Sequence, residues 1–377
     1  GIPADQVIVV DIGYRMCNEE LPSLVCRNNP VEHVSRKMQS PVFLHVLCRR
    51  VISEEAQVCA SLDEALTGAA AVVLAEPYLV RAVTQARNLA DLDAVPVVLD
   101  AYNVEAVLKE GVLPATELGQ RLLRQAEALE AEAVTAATAV VACGDIDAAE
   151  MARRYHKDPA AFTVIPNGAE LPEHPAGLRE RRHHTHEWLR RYHRTGPLGQ
   201  SYEHLGLFVG SWHPPNVDAV WLLTEIADSL PHLLIVCAGS IGDAFYDRVV
   251  PPNLVMTGVI SDAARRSLLR GATVALNPMR IGSGTNLKLV EYLANHVPTV
   301  STPFGARGLP VASGEHLLLA EPEDFADAVE QVLDDPAAAD RLAAAGRDLV
   351  AAAFGWPALS DQLTHVVRTA AGLPAST

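Results

Sequence analysis

Residues 276–310 read LNPMRIGSGTNLKLVEYLANHVPTVSTPFGARGLP, and this stretch decides the fold. A buried strand ends at Asn277 and Pro278. Gly282, Ser283, Gly284 and Thr285 make a flexible loop, and a helix begins near Asn286, with Thr285 or Asn286 as its N-cap. A glycine-rich loop that opens a helix presents unpaired backbone N–H groups and the positive end of the helix dipole, which suits a phosphate. Arg280 and Lys288 add mobile cationic charge. Lys288 and Glu291 share one helix face at i, i+3, while Leu287, Val290 and Ala294 form the opposite, apolar stripe. Glu291 lies one to two turns in, where it can accept hydrogen bonds from a ribose diol while a pyrophosphate sits on the loop. The next strand runs into a second turn, Thr302 to Gly305. Two adjacent loops at the carboxyl ends of parallel strands form a crevice. A surface Lys–Glu pair on an ordinary turn, worth a few tenths of a kcal/mol at about 25 °C, accounts for none of that surrounding order.

Outward from this stretch, short Val- and Ile-rich runs recur. They are Val7 to Val10, Ala71 to Leu74, Val95 to Leu99 and Thr138 to Ala142, then Leu207 to Val209, Leu233 to Val236, Thr273 to Leu276 and Thr299 to Ser301. Continuous rather than alternating apolar runs mean burial on both faces, as in a parallel sheet. Helical patterns lie between them, among them Glu117 to Ala136, Ile146 to Tyr155, Asp218 to Leu230, Asp262 to Arg270, Leu287 to Asn295 and Asp324 to Leu333. Such alternation predicts an α/β protein with doubly wound sheets. The series breaks once, at Pro166, Asn167, Gly168 and the Arg/His-rich run from Arg179 to Arg194. The predicted division is therefore 1–170, a linker at 171–205, a second domain at 206–355, and a last helix at 356–377 that crosses back to the first domain.

Composition narrows the class. The 377 residues are 49% apolar and 20% charged, so the chain is globular and long enough for two cores. Its net charge of −16 disfavours nucleic acid or anionic lipid as a partner of the overall field. Cys17, Cys26, Cys48, Cys59, Cys143 and Cys237 are scattered, without a C-x-x-C pair, and read as free thiols of a cytoplasmic protein. No apolar run reaches the length of a membrane span, although peripheral membrane contact stays open. His183, His184, His186 and His193 lack the carboxylate or Cys spacing that would complete a metal site, and a solvated helix or linker explains them. Glu105 and Lys109, at i, i+4 on a short helix, read equally as a site pair and as a surface pair. Glu76, Pro77 and Tyr78 follow the second strand at its cleft end.

The segment 276–310 resembles the nucleotide-sugar-binding region of family 4 retaining glycosyltransferases (group 1 glycosyltransferases), which have the GT-B fold. Three other segments agree: LFVGSWHPPN from Leu207 to Asn216, DAYNVE from Asp100 to Glu105, and VVACGDIDAA with VIPNG from Val140 to Gly168. The resemblance implies two Rossmann-like domains facing each other across a cleft. It places Glu291 on the nucleotide ribose, Gly282, Ser283, Gly284, Thr285 and Asn286 on the pyrophosphate, and Gly210, Ser211 and Gly305 in the turns around the donor. Arg280, Lys288 and Tyr102 become the candidate catalytic residues. Three departures stand out. Ser283 replaces the first acid of the family's two-glutamate motif. Trp212 to Asn216 lack its usual Arg and Lys. Tyr102 replaces a His in the DxHNVE pattern, and a phenol cannot take the imidazole's charge at neutral pH.

The implied function is sugar transfer from a nucleotide-sugar donor to an unidentified acceptor, with retention and with neither metal nor other cofactor. A GT-B-like epimerase or hydrolase would need a cleft acid or base, and none is evident. A non-catalytic or truncated nucleotide-sugar binder is the other alternative. It draws on Ser283 and on a thin first half, whose opening turn, Asp11 to Tyr14, has one glycine. That turn and the missing Met predict that the natural start is absent.

Overall fold

Strands form where Val and Ile follow one another without polar interruption, and helices cover both of the faces thus buried. The protein is described by a computed structural model covering residues 7–10, 66, 69–75, 77–89, 94–195, 202–282 and 286–374. It divides into two units, residues 1–166 with 360–377, and residues 167–359. The predicted missing start concerns residues outside the described ones, as do Glu76, Cys17, Cys26, Cys48 and Cys59. Cys143 and Cys237 are buried free thiols.

In the first unit, β1 (Val7–Val10), β2 (Ala71–Leu74), β3 (Val97–Ala101), β4 (Ala139–Ala142) and β5 (Phe162–Val164) are parallel and lie in that order. Among these strands the order runs one way, without a reversal. Helices α1 (Val80–Leu89), α2 (Glu105–Val112), α3 (Glu117–Ala136) and α4 (Asp145–Tyr155) alternate with them. The core gathers Leu74, Tyr78, Leu99, Leu129, Val134 and Met151.

Glu105 and Lys109 form an enclosed pair, not a surface one, with Nζ to Oε2 at 3.1 Å. The Tyr78 hydroxyl also donates to Glu105. Beside them Glu130 accepts the backbone N–H of Glu105 at 2.7 Å and of Ala106 at 3.0 Å, which caps α2, and the Tyr155 hydroxyl at 2.6 Å. Burial still pushes its carboxyl up to about 6 against those hydrogen bonds.

In the second unit six parallel strands are β6 (His204–Val209), β7 (Leu233–Ala238), β8 (Leu254–Gly258), β9 (Val274–Asn277), β10 (Thr299–Ser301) and β11 (Leu318–Leu319). Their order is β11-β10-β9-β6-β7-β8, so the winding reverses between β6 and β9 and the sheet is doubly wound. The helices are α5 (Leu178–Thr195), α6 (Pro214–Ile226), α7 (Asp262–Gly271), α8 (Leu287–Ala294), α9 (Phe325–Asp334), α10 (Pro336–Ala353) and the start of α11 (Trp356–Ala370). Phe208, Leu223, Ile235, Phe325 and Val329 fill one face, and Leu205, Leu207, Leu234, Leu268 and Tyr292 the other.

The Arg/His-rich run is a correction to the predicted linker. It forms α5, which packs on α7 because Arg181, Thr185 and Leu189 recur every fourth residue on one buried face. The Thr185 hydroxyl donates to the Gly271 carbonyl at 2.7 Å. Arg181 donates to Leu269 at 3.1 Å, to Ala272 and Ala176 at 2.9 Å, and to His296, all backbone carbonyls. A cation thus closes the C-terminal end of α7. His183 on the exposed side of α5 faces Glu187, and His184 faces Glu180 and Glu187. Among the described residues no three His, Cys, Asp or Glu side chains gather as a metal site requires.

Replacing Arg181 by Met keeps the stem and removes the guanidinium from four carbonyls, three of these bonds being buried. We expect Arg181→Met to cost about 2–4 kcal/mol. A fall in the urea midpoint of that size checks it; an unchanged midpoint refutes the role given to Arg181.

Candidate active site

The reversal between β6 and β9 leaves the loops at their carboxyl ends diverging, which opens a crevice in any sheet wound this way. The residues at these two strand ends, and at the neighbouring end of β10, make up the site.

Asn277 ends β9 and is fully buried. Its amide nitrogen donates to the Ser301 hydroxyl at 2.9 Å and to the Gly305 carbonyl at 3.2 Å. Its amide oxygen accepts from the Asn286 side chain at 2.8 Å. One side chain therefore ties the end of β9 to the end of β10 and to the start of α8. Gly305 is obligatory in this knot, because a Cβ there would fall 2.6 Å from the Asn277 amide nitrogen and 2.8 Å from the Ser301 hydroxyl. The Asn286 amide, predicted as a possible helix cap, makes no capping hydrogen bond because it is drawn to Asn277. Gly282 sits at φ 134°, a conformation open to glycine. Ser283, Gly284 and Thr285 lie outside the described residues.

The cations are not mobile, as the sequence suggested, but engaged. Arg280 grips Asp218 on α6 through two parallel hydrogen bonds of 3.0 and 2.8 Å. Lys288 lays its amine 4.8 Å from the centre of the Phe208 ring and donates to the Asn216 amide oxygen at 2.6 Å. The residue as a whole is partly exposed, but its amine is packed among Asn216, Phe208 and the Met279 sulfur. Loss of water pushes that amine down to about 7. Asn216 also donates to the Ser211 carbonyl at 2.9 Å, so it links Lys288 to the turn after β6. Gly210 in that turn is hemmed in by the Phe208 ring, 2.8 Å from where a Cβ would stand.

Glu291 pairs with Arg265 of α7 at 3.2 Å. Burial raises its carboxyl above the ordinary range and Arg265 opposes that shift. The apolar stripe of α8 is Leu289, Val290, Leu293 and Ala294, whereas Leu287 is 54% exposed. Tyr292 fixes the helix to the sheet by accepting the Val209 N–H at 2.8 Å. The structure thus brings Gly210, Ser211, Arg280, Gly282, Asn286, Lys288 and Gly305 to adjoining strand ends of one unit, with Glu291 further along α8 and paired with Arg265. Tyr102 follows β3 in the other unit and is exposed.

Sequence reasoning missed Asn277, Asn216, Asp218 and Arg265 as partners of these residues. It also missed Arg307, which stacks on Phe304 at 4.1 Å and reaches to 3.6 Å of where a Cβ on Gly282 would stand. Asn277 and Asn216 carried a usable signal, since a polar amide at the end of an apolar run or beside two prolines needs a buried partner.

The fold is the two-sheet α/β fold of the GT-B kind, which the solved structures below share. Residues 203–335 carry a domain that matches the family described as glycosyl transferases group 1. The chain is 26% identical over 245 residues to phosphatidyl-myo-inositol mannosyltransferase of Mycobacterium tuberculosis, covering 61% of this chain and 60% of that protein. It is 26% identical over 288 residues to glycogen synthase of the same organism, covering 71% and 64%. The chain thus spans less than two thirds of the length of these relatives. Among solved structures, Anabaena HepE in complex with UDP and glucose superposes with a TM-score of 0.63 at 14% identity, covering 82% of this chain and 81% of that one. Sucrose-phosphate synthase from Thermosynechococcus elongatus gives 0.62 at 18% identity, covering 82% and 77%.

Removing the Asn277 amide breaks three hydrogen bonds at once, two of them buried. We expect Asn277→Ala to cost about 2–4 kcal/mol in the denaturant midpoint. A loss below about 0.5 kcal/mol would show that the three loops hold one another without it.

Proposed function

We propose that this chain transfers a glycosyl group from a nucleotide-sugar donor to an acceptor, with retention of configuration and without a divalent metal, in the cytoplasm. The observation that carries the reading is the reversal between β6 and β9, where Lys288, Gly282 and the start of α8 converge, with Glu291 one turn further along the helix. The group 1 domain over residues 203–335 supports the donor class. So does a structure of the same fold, that of HepE in complex with UDP and glucose. No helix among the described residues is long and apolar enough to cross a membrane.

In such a reaction the protein orients two substrates and stabilises a departing diphosphate. Lys288, Arg307 and the backbone at Gly282 and at the start of α8 border the place where that charge would develop. Arg280 joins them only by leaving Asp218. Glu291 receives the ribose hydroxyls in exchange for Arg265. Tyr102 belongs to the acceptor side of the reaction.

The first test is calorimetry with UDP, GDP and ADP. A charge-assisted hydrogen bond to the ribose is worth about 1.5–3 kcal/mol, so Glu291→Ala should weaken the bound diphosphate about tenfold or more. An unchanged dissociation constant would remove Glu291 from the site. Sugar release or transfer from the matching nucleotide sugar then separates an enzyme from the non-catalytic binder that Ser283 suggests. Transfer should continue in excess chelator. Activity lost in chelator and restored by magnesium or manganese would contradict the metal-free reading.

A further inference from the structure

Lys288 is placed unlike the other cations of the second unit's site. Arg280 holds a carboxylate through two hydrogen bonds, and Arg265 holds another. The Lys288 amine meets an aromatic face, a thioether sulfur and a neutral amide oxygen, and no carboxylate lies within ion-pair distance of it among the described residues. A ring face favours the charged amine, but modestly. Removal of water disfavours it, and here that effect dominates.

Among the described residues the surroundings supply no other charge to settle the matter. From α6 come Asn216 and, two residues on, Asp218, whose carboxylate Arg280 occupies. From β6 comes Phe208, and from the loop after β9 come Met279 and Arg280. On α8 itself Glu291 is turned to Arg265. From the loop after β10, Arg307 lies over Phe304 near Gly282. The amine is therefore stored at a strand end built for an anion, with a neutral partner that accepts a hydrogen bond from either –NH2 or –NH3⁺.

We propose that a nucleoside diphosphate entering this crevice drives Lys288 from the amine to the ammonium form, with one proton taken from solvent, and that Asn216 is the positioning residue that holds the amine at the end of β6 in both states. This rests on the donor-site reading above and adds its chemistry. The diphosphate supplies the anionic partner that the free protein withholds, so the ammonium is stabilised only in the complex. The sign follows. Below pH 7 Lys288 is already charged and binding takes up little. Above pH 7 each bound diphosphate carries a proton in with it, and affinity falls about tenfold per pH unit. A neutral side chain in the free protein also avoids pairing with a wrong carboxylate, the fate of Arg280 and Arg265.

The test is titration calorimetry of the full chain with UDP, GDP and ADP at pH 6 and pH 8, each in Hepes and in Tris. The difference in buffer ionisation heat counts protons. We expect uptake of about one proton per diphosphate at pH 8, and far less at pH 6. Lys288→Arg carries a permanent charge, so it should bind with no such uptake and a flatter pH profile. Asn216→Asp places a carboxylate on the amine, so Lys288 should stay charged and the uptake at pH 8 should vanish in a folded protein. A purely structural role for Asn216 would leave the proton count unchanged, and that result overturns its assignment. Tight binding without uptake by the wild type, or equal uptake by Lys288→Arg, overturns the proton coupling and leaves the donor site standing. Failure of all three diphosphates to bind a folded chain overturns the donor site, and the coupling with it.

Discussion

The candidate site depends on one buried amide. Asn277 sits at the end of β9 with no exposure to solvent, and its two polar atoms join the ends of β9 and β10 to the first residue before α8. An amide in that position costs several kcal/mol to bury unless its hydrogen bonds are met, by about 2–7 kcal/mol depending on the reference state. The sequence meets them with Ser301, the Gly305 carbonyl and Asn286. That requirement explains why Gly305 has no side chain and why Asn286 gives up capping α8. The geometry of the candidate site is thus held by this buried amide and its partners.

A second constraint is electrostatic. Within the site the ionisable side chains Arg280, Lys288 and Glu291 are engaged by Asp218, Asn216 and Arg265. Pairing keeps their rotamers fixed, which lowers the entropy lost when a ligand arrives. It also means that a diphosphate must compete with Asp218 for Arg280, whereas at Lys288 it displaces no carboxylate. The two cations therefore answer an anion differently although both lie at the end of β9 or the start of α8. With a net charge of −16 the overall field of the chain does not favour an anion, so an anion bound here would depend on local contacts.

Much of the fold was legible because buried parallel strands write themselves as unbroken apolar runs. Ala71–Leu74, Leu233–Ala238 and Thr299–Ser301 are of that kind. β8, LVMTG, escaped notice because it is the edge of its sheet and four of its five residues stay partly or fully exposed, and β11 is only two residues long. The Arg/His-rich run misled for a physical reason: its charged composition reads as solvated, but Arg181 spends its guanidinium on carbonyls that no apolar residue could serve. The loop, the helix and Glu291 were visible as a strand, glycine, helix order. Their partners were not, since Asp218, Asn216 and Arg265 come from elements 60 or more residues away or from another helix, and spacing along the chain carries no trace of such pairs.

The central claim is that the crevice between the ends of β6 and β9 receives the diphosphate of the donor. A crystal structure of the full chain with the tightest-binding of UDP, GDP and ADP tests it most directly. The account requires the diphosphate against Gly282 and the start of α8, within hydrogen-bond distance of the Lys288 amine, with the ribose hydroxyls on Glu291. A nucleotide bound anywhere else, or bound here with the ribose away from Glu291 and Lys288 still on Asn216 alone, contradicts it.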